Sequence, residues 1–227
     1  MAFENPMTFP GESAEYRAAR DELLRAEVEL RRHIERIAEQ RRALPPGGNL
    51  KEDYSFEAAA DGAPVRLSEL FGGHDTLLIY SFMYREGAKP CPMCSSFLDS
   101  FDGAVPQLST RISTAVIARA GAETLRDWAT IRGWSNLRLL SSAGCDYNVD
   151  YHGEGPDGSQ WPMVNVFQRT DAGIHHTWAS EMLQQPSEPG QNSRHVDMIW
   201  PLWHTLDLTP GGRGDWYPSL DAAEAAE

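Results

Sequence analysis

The spacing of apolar positions changes character along the chain. Residues 12–44, ESAEYRAARDELLRAEVELRRHIERIAEQRRAL, are dominated by Ala, Leu, Glu and Arg and contain neither Gly nor Pro. Apolar side chains recur at Leu23, Leu30, Ile34, Ile37 and Leu44, close to heptad spacing. Asp21 with Arg25, and Glu27 with Arg31, stand in the favourable i,i+4 order. The pattern predicts one long helix, ended by PPGG at 45–48. A lone helix of this kind needs cover for its stripe. Two outcomes are open: packing on the body of its own chain, or a homodimer through this helix.

From Tyr54 the texture alters. YSFEAAADGAPVRLSELFGG predicts a hairpin turned at Asp61-Gly62 and then a short helix. TLLIYSFMY, at 76–84, is nearly continuous apolar, as a strand buried on both faces requires. SSFLDSF carries Phe97, Leu98 and Phe101 at helical spacing, and STAVIAR is a second strand. AETLRDWATIRGW is a helix with Trp128 and Ile131 on one stripe, followed by a third strand, LRLLSS. Residues 150–161, DYHGEGPDGSQW, form a polar, Gly-rich insertion. PMVNVFQR and GIHHTWAS flank TDAG and predict a hairpin. The tail RHVDMIWPLWHTLDL is amphipathic and Trp-rich, and Pro201 breaks it into two pieces. No internal repeat is visible. The order implies an α/β layered sheet with flanking helices, a mainly parallel core and an antiparallel edge. The expected division is a helical arm over 1–48 and a domain over 49–227 that ends in the Trp-rich extension.

Charge narrows the partners. Thirty-three acidic residues against 20 basic ones give a formal charge of −13. The predicted helix holds eight of each sign, so the excess acidity lies elsewhere. Phosphates need neutralising cations, so nucleic acid is not expected as a main partner. No apolar run has the length of a membrane span. The stretch MAFENPMTFPGESAEY lacks the basic start and apolar core of a signal peptide, so the expected location is cytoplasmic. The three cysteines, Cys91, Cys94 and Cys145, are too few for a disulfide-stapled scaffold.

Two of them form a C-x-x-C motif between a predicted strand and a predicted helix. Cys91 falls at the N-cap, and Pro92 falls in the first turn, where its missing N–H costs nothing. Unpaired backbone amides and the positive end of the helix dipole then face the Cys91 sulfur. A thiolate is favoured there, and the thiolate is the nucleophile. Cys94 lies one turn in, within range of a disulfide. A metal site would use such a pair as half of a four-ligand set. There is no second C-x-x-C, and His175, His176, His195 and His204 lack the spacing of a zinc finger. Redox chemistry is therefore expected ahead of metal binding.

LLIYSFMY…CPMCSSFLD, TAVIARA, LRDWATIRGW, SSAGCDYNVDY and VNVFQR…IHHTWAS together resemble a thioredoxin-like family known as domain of unknown function 899, described as predicted dithiol-disulfide oxidoreductases. The likeness runs from about residue 44 to about residue 210. The long N-terminal helix and its R-x-L-P-P-G exit fit the same family. The resemblance implies a thioredoxin-like fold and dithiol chemistry, and names no substrate. It also places Pro162, directly before a strand, where a cis-proline of the thioredoxin fold faces the cysteines and offers its backbone to substrate. Ordinary thioredoxins carry Trp before the first cysteine and Gly-Pro inside the motif. Here Pro90 precedes it and Pro92-Met93 fill it.

Arg119 ends the second strand, where sites of parallel sheets gather. It is expected to steady a thiolate or bind an anionic substrate group, or else to form a surface ion pair. Arg85 invites the same two readings more weakly. Cys145 is a third redox position or, in the commoner case, a small buried hydrophobe. The leading expectation is an enzyme in which Cys91 attacks a disulfide, Cys94 resolves the mixed disulfide and Pro162 presents substrate. It needs no tightly bound cofactor, and a reductase, thioredoxin or small thiol recycles the pair. Three alternatives remain: a peroxidase that oxidises Cys91 to sulfenic acid, a metal-binding module of both thiolates and a histidine, and an interaction protein built around the long helix.

Overall fold

A computed structural model describes residues 7–187, 189, 199–214 and 216–220. They fall into two compact units, Met1–Pro45 and Pro46–Glu227.

The first unit is built on α1, Ala14–Arg42. Ser13 caps it, its hydroxyl accepting from the Tyr16 amide at 3.1 Å. Glu15 in the first turn and Arg41 and Arg42 in the last oppose the helix dipole. The ion pairs differ from those the spacing suggested. Arg17 pairs with Asp21 at 3.2 Å, Arg31 with Glu35 at 3.3 Å, and Glu27 turns back to Arg20 at 2.9 Å. Each cation here has carboxylates on both sides along the helix, and i,i+4 spacing alone does not choose between them. No residue of α1 is buried, and Leu23, Leu30 and Ile34 are exposed.

The second unit is a seven-stranded sheet with order β2-β1-β5-β4-β3-β6-β7. The strands are β1 (Ser55–Ala58), β2 (Pro64–Arg66), β3 (Thr76–Ser81), β4 (Ser113–Ala118), β5 (Leu139–Ser141), β6 (Met163–Thr170) and β7 (Gly173–Ala179). The β1–β2 hairpin turns where expected, with Gly62 at φ +75°, a conformation that a side chain disfavours. Parallel pairing is confined to β3–β4 and β4–β5; the other four pairings are antiparallel. The expected parallel core is there as three strands, β5-β4-β3, and the expected single antiparallel edge is corrected to one on each side. Parallel neighbours need a crossover helix, and only two helices long enough to serve stand between consecutive strands. These are α3 (Pro92–Leu108) and α4 (Ala122–Arg132). The connection β3-α3-β4, joined to the β6–β7 hairpin on the far side of β3, is the core order of the thioredoxin-like layered sheet that was expected.

Strand alternation divides the core into two layers. On one face Tyr80, Val116, Leu139 and Val164 pack with Phe97, Leu98 and Phe101 of α3, Leu125 of α4, and Trp200 and Trp203. Trp203 lies on α6, Pro201–Leu206, and Pro201 opens this helix as the tail pattern implied. The first residues of the expected tail, 194–198, including His195, lie outside the described residues. On the other face Leu77, Ile79, Ala115, Ile117, Leu140 and Phe167 meet two short helices, α2 (Leu67–Leu70) and α5 (Tyr147–Asp150). The insertion at 150–161 is pressed onto this second layer. A Cβ on Gly153 would lie 2.8 Å from Ser81 Oγ and 2.9 Å from Asn148 Nδ2.

Candidate active site

The cysteine motif sits where β3 runs out. The Phe82 amide still reaches the Ile117 carbonyl at 2.8 Å, and Tyr84 N–H then turns back to Phe82 O at 2.8 Å, so the chain leaves the sheet. The loop that follows is tied down in three places. Ala120 N–H donates to Tyr84 O at 2.9 Å, and Cys91 N–H donates to Met83 O at 3.0 Å. Between them the Glu86 carboxylate accepts from Gly121 N–H at 3.3 Å and from the Thr124 hydroxyl at 3.0 Å, capping α4. The loop from Tyr84 to Pro90 is thereby held at both ends and in the middle.

Cys91 is the N-cap of α3, with φ −65° and ψ 124°, and Pro92 follows it in the first turn. Its sulfur accepts the Cys94 amide at 3.4 Å. Its carbonyl takes the Ser95 amide at 3.0 Å, the first bond of the helix. No acidic residue stands in the first turn, so no carboxylate competes for the positive end of this 17-residue helix. Cys91 is half-buried and Cys94 is fully buried. Cys91 therefore keeps part of its surface open to solvent, and Cys94 lies a turn behind, in the apolar layer that also holds Phe97 and Leu98.

Around the motif the rings of Tyr84 and Trp128 meet edge to face at 6.2 Å. Burial, with the Glu86 carboxylate nearby, pushes the Tyr84 phenol up. Ser95 Oγ and Trp128 Nε1 are buried and find no hydrogen-bond partner among the described residues. Glu86, Ser95 and Tyr84 were not singled out by the sequence. Glu86 had a signal, a carboxylate in a loop that precedes a helix opening Gly-Ala-Glu-Thr, but nothing in the chain links the two segments before they fold.

The other expected residues gather at the same end of the sheet without converging on the sulfurs. Pro162 directly precedes β6, and the register Ser81↔Met163 sets it level with the exit of β3. The Trp161–Pro162 bond is trans, which corrects the cis expectation. Trans is the ordinary state of an X–Pro bond by about 0.5–1 kcal/mol, and Pro162 holds its place as the residue that opens the hairpin. Arg119 follows β4, and its side chain turns to the second layer. Its Nε pairs with Glu154 at 2.6 Å, and Nη1 donates to the carbonyls of Ser142 at 3.0 Å and Cys145 at 2.8 Å. Arg119 thus joins β4, the loop after β5 and the insertion. Arg85 is exposed.

Cys145 packs with the second layer, across the sheet from Cys94. Burial pushes its thiol up, against smaller opposing effects of the Tyr147 amide and Arg119. His176 Nε2 donates to Asn165 Oδ1 at 2.8 Å, and the ring packs on Tyr151 and Phe167. Burial pulls its imidazole below the usual value. His204 is exposed. Among the described residues no group of three or more His, Cys, Asp and Glu side chains is arranged to hold a metal ion. No helix among them is long and apolar enough to cross a membrane.

Comparison with known proteins gives the family. No curated protein matches the chain. Among solved structures, peroxidoxin BcpB from Mycobacterium tuberculosis is similar at 18% identity, with 72% of this chain and 98% of that chain covered and a TM-score of 0.46. A mutant PrxQ of Xylella fastidiosa is similar at 12% identity, covering 71% and 96% with a TM-score of 0.45. AhpC of Enterococcus faecalis is similar at 11% identity, covering 72% and 94% with a TM-score of 0.47. The family model described as bacterial protein of unknown function (DUF899) matches residues 6–224, nearly the whole chain, and the protein belongs to that family.

Proposed function

We propose that the protein is a thiol–disulfide oxidoreductase acting through Cys91 and Cys94. The observation that carries this reading is the half-buried Cys91 at the N-cap of α3, its sulfur accepting the Cys94 amide with no acidic side chain in the first turn. The Cys91 thiolate attacks one sulfur of a substrate disulfide. A bond forms between Cys91 and that sulfur, the substrate S–S bond breaks, and the other half leaves as a thiolate. Cys94 then gives up its proton and attacks the Cys91 sulfur. The mixed disulfide breaks, the second thiol leaves, and a Cys91–Cys94 disulfide remains. Substrate gains two electrons and the protein loses two. A reductase, thioredoxin or small thiol returns them, and no bound cofactor takes part.

Pro162, level with the exit of β3, is the backbone platform for substrate in this reading. Arg119 binds an anionic substrate group only when its pair with Glu154 opens; otherwise it holds the rim of the site. The exposed stripe of α1 supports a homodimer, which a monomer in sedimentation at micromolar concentration would contradict. A working dithiol fits a reducing compartment, in keeping with the cytoplasm.

The test is a single turnover of pre-reduced protein with bis(2-hydroxyethyl) disulfide. Wild type releases both thiols and ends as the Cys91–Cys94 disulfide. Cys94→Ala releases one and retains the other on Cys91, visible as added mass. Cys91→Ser releases neither. Hydrogen peroxide consumed much faster than the disulfide, with dependence on Cys91, would replace this reading by the peroxidase. Thiol release by Cys91→Ser at the wild-type rate would end both.

A further inference from the structure

On the α3–α4 side, away from the cysteine motif in sequence, a cleft of about 370 Å³ opens between the β1–β2 hairpin, β5 and α4. Its floor is made of small and branched apolar side chains: Ala59, Ala63, Ala129, Leu137 and Leu139. Side chains this short leave volume that a leucine or phenylalanine would have filled, and the core beneath is closed by Leu125 and Leu139. Two arginines are in the lining, Arg126 from α4 and Arg138 from the approach to β5, the latter shared with a second cleft beside the end of α3. Arg126 Nη1 donates to the Ala59 carbonyl at 3.3 Å, which lays its guanidinium over the floor. Neither arginine has an ion-pair partner among the described residues. The one acidic residue in the lining, Asp61, has its Oδ1 engaged by the Ala63 amide at 3.0 Å in the hairpin turn. Within the lining, two cations thus stand against one carboxylate, on a chain of net charge −13.

We infer that the cleft binds an amphipathic carboxylate, with its hydrocarbon part on the alanine and leucine floor and its carboxylate shared by Arg126 and Arg138. A guanidinium fork matches a carboxylate in two parallel hydrogen bonds, which favours an acid over a neutral analogue. The volume lies at the low end of the range for small-molecule sites, roughly 300–1,000 Å³, so a medium hydrocarbon chain fits better than a long one.

The test is calorimetric titration of the full-length protein with decanoate below its aggregation concentration, beside decan-1-ol. The inference predicts one saturable site for decanoate and binding of decan-1-ol weaker by roughly tenfold or more, the value of about one charge-assisted contact. Arg126→Gln with Arg138→Gln, both exposed positions, should remove that preference while thermal unfolding stays as in wild type. Ala129→Phe should block both ligands by filling the cleft. Cys91→Ser should leave decanoate binding intact, which separates this site from the thiol chemistry. Absence of saturable decanoate binding, or equal binding by the double arginine variant, would overturn the inference. So would tighter binding of a short peptide ending in leucine, which would assign the cleft to a protein C terminus.

Discussion

Cys91 and Cys145 stand beyond the carboxyl ends of β3 and β5, the two parallel strands that flank β4, one on each side of the same sheet. Cys91 heads a helix of 17 residues, and the first-turn amide of Cys94 points at its sulfur. Cys145 precedes a helix of four residues, and the nearby Arg119 spends its guanidinium on Glu154 and on backbone carbonyls, including that of Cys145 itself. Burial dominates at Cys145 and favours the neutral thiol. A nucleophilic cysteine thus requires both an electropositive setting and access; a cation in the neighbourhood is not enough when it is already satisfied. The layers differ in the same sense. Both layers are aliphatic and aromatic, but their buried polar groups differ: on the Cys145 side Ser142 bonds Asn148 and Asn165 bonds Tyr151 and His176, whereas Ser95 beside Cys94 has an Oγ with no partner among the described residues.

The sharpest way to break this contrast is to exchange the thiols one at a time. Cys91→Ser should lower disulfide reduction by at least about a hundredfold, while Cys145→Ser should leave the rate near wild type, as steady-state thiol release will report. Equal losses in the two variants would erase the distinction. Next in size are the cores. Phe97→Ala and Phe167→Ala each remove a buried ring, one per layer, and each should cost about 3–5 kcal/mol in denaturant unfolding. If the account of the layers holds, Phe97→Ala, directly behind the motif, also disturbs Cys91 reactivity in folded protein, and Phe167→Ala does not.

Smaller effects follow from the polar anchors. Glu86→Ala removes the acceptor at the start of α4 and should cost about 1 kcal/mol. It should also loosen the loop before Cys91, read as faster amide exchange there, without abolishing turnover. The smallest effect is a pH dependence. His176 is held below its usual value of about 6.5 in the folded state, so its neutral form is the one that folding favours. Stability from this group is present above pH about 6.5 and is lost as pH falls toward the depressed folded value. Unfolding midpoints should therefore drop between pH 7.5 and pH 5, and His176→Gln should flatten part of that drop.

The parts of this molecule readable in the sequence are those that local physics decides. The α1 pattern, the Asp61-Gly62 turn, the apolar run of β3 and the Cys91–Pro92 helix start all follow from residues within a few positions of one another. What the sequence left open needs partners far apart in the chain. Whether β6 runs with or against β3 is set by the route of the connection, not by the composition of MVNVFQRT. Arg119 was legible as a strand-end cation, but its engagement by Glu154, 35 residues on, was not. Glu86 and Thr124, 38 residues apart, meet only after the sheet has formed. The isomeric state of Pro162 was inferred from likeness rather than from local chemistry, and there too the structure departs from expectation.

The central claim is that the head of α3 makes the Cys91 sulfur a nucleophile at neutral pH. The most direct measurement is the rate of Cys91 alkylation by iodoacetamide as a function of pH, followed by mass spectrometry with Cys145 in the same sample as the internal comparison. The account predicts a midpoint for Cys91 below that of free cysteine, about 8.5, and a rate at pH 7 well above that of Cys145. A midpoint at or above the free value, or alkylation of Cys145 as fast as Cys91, would contradict it.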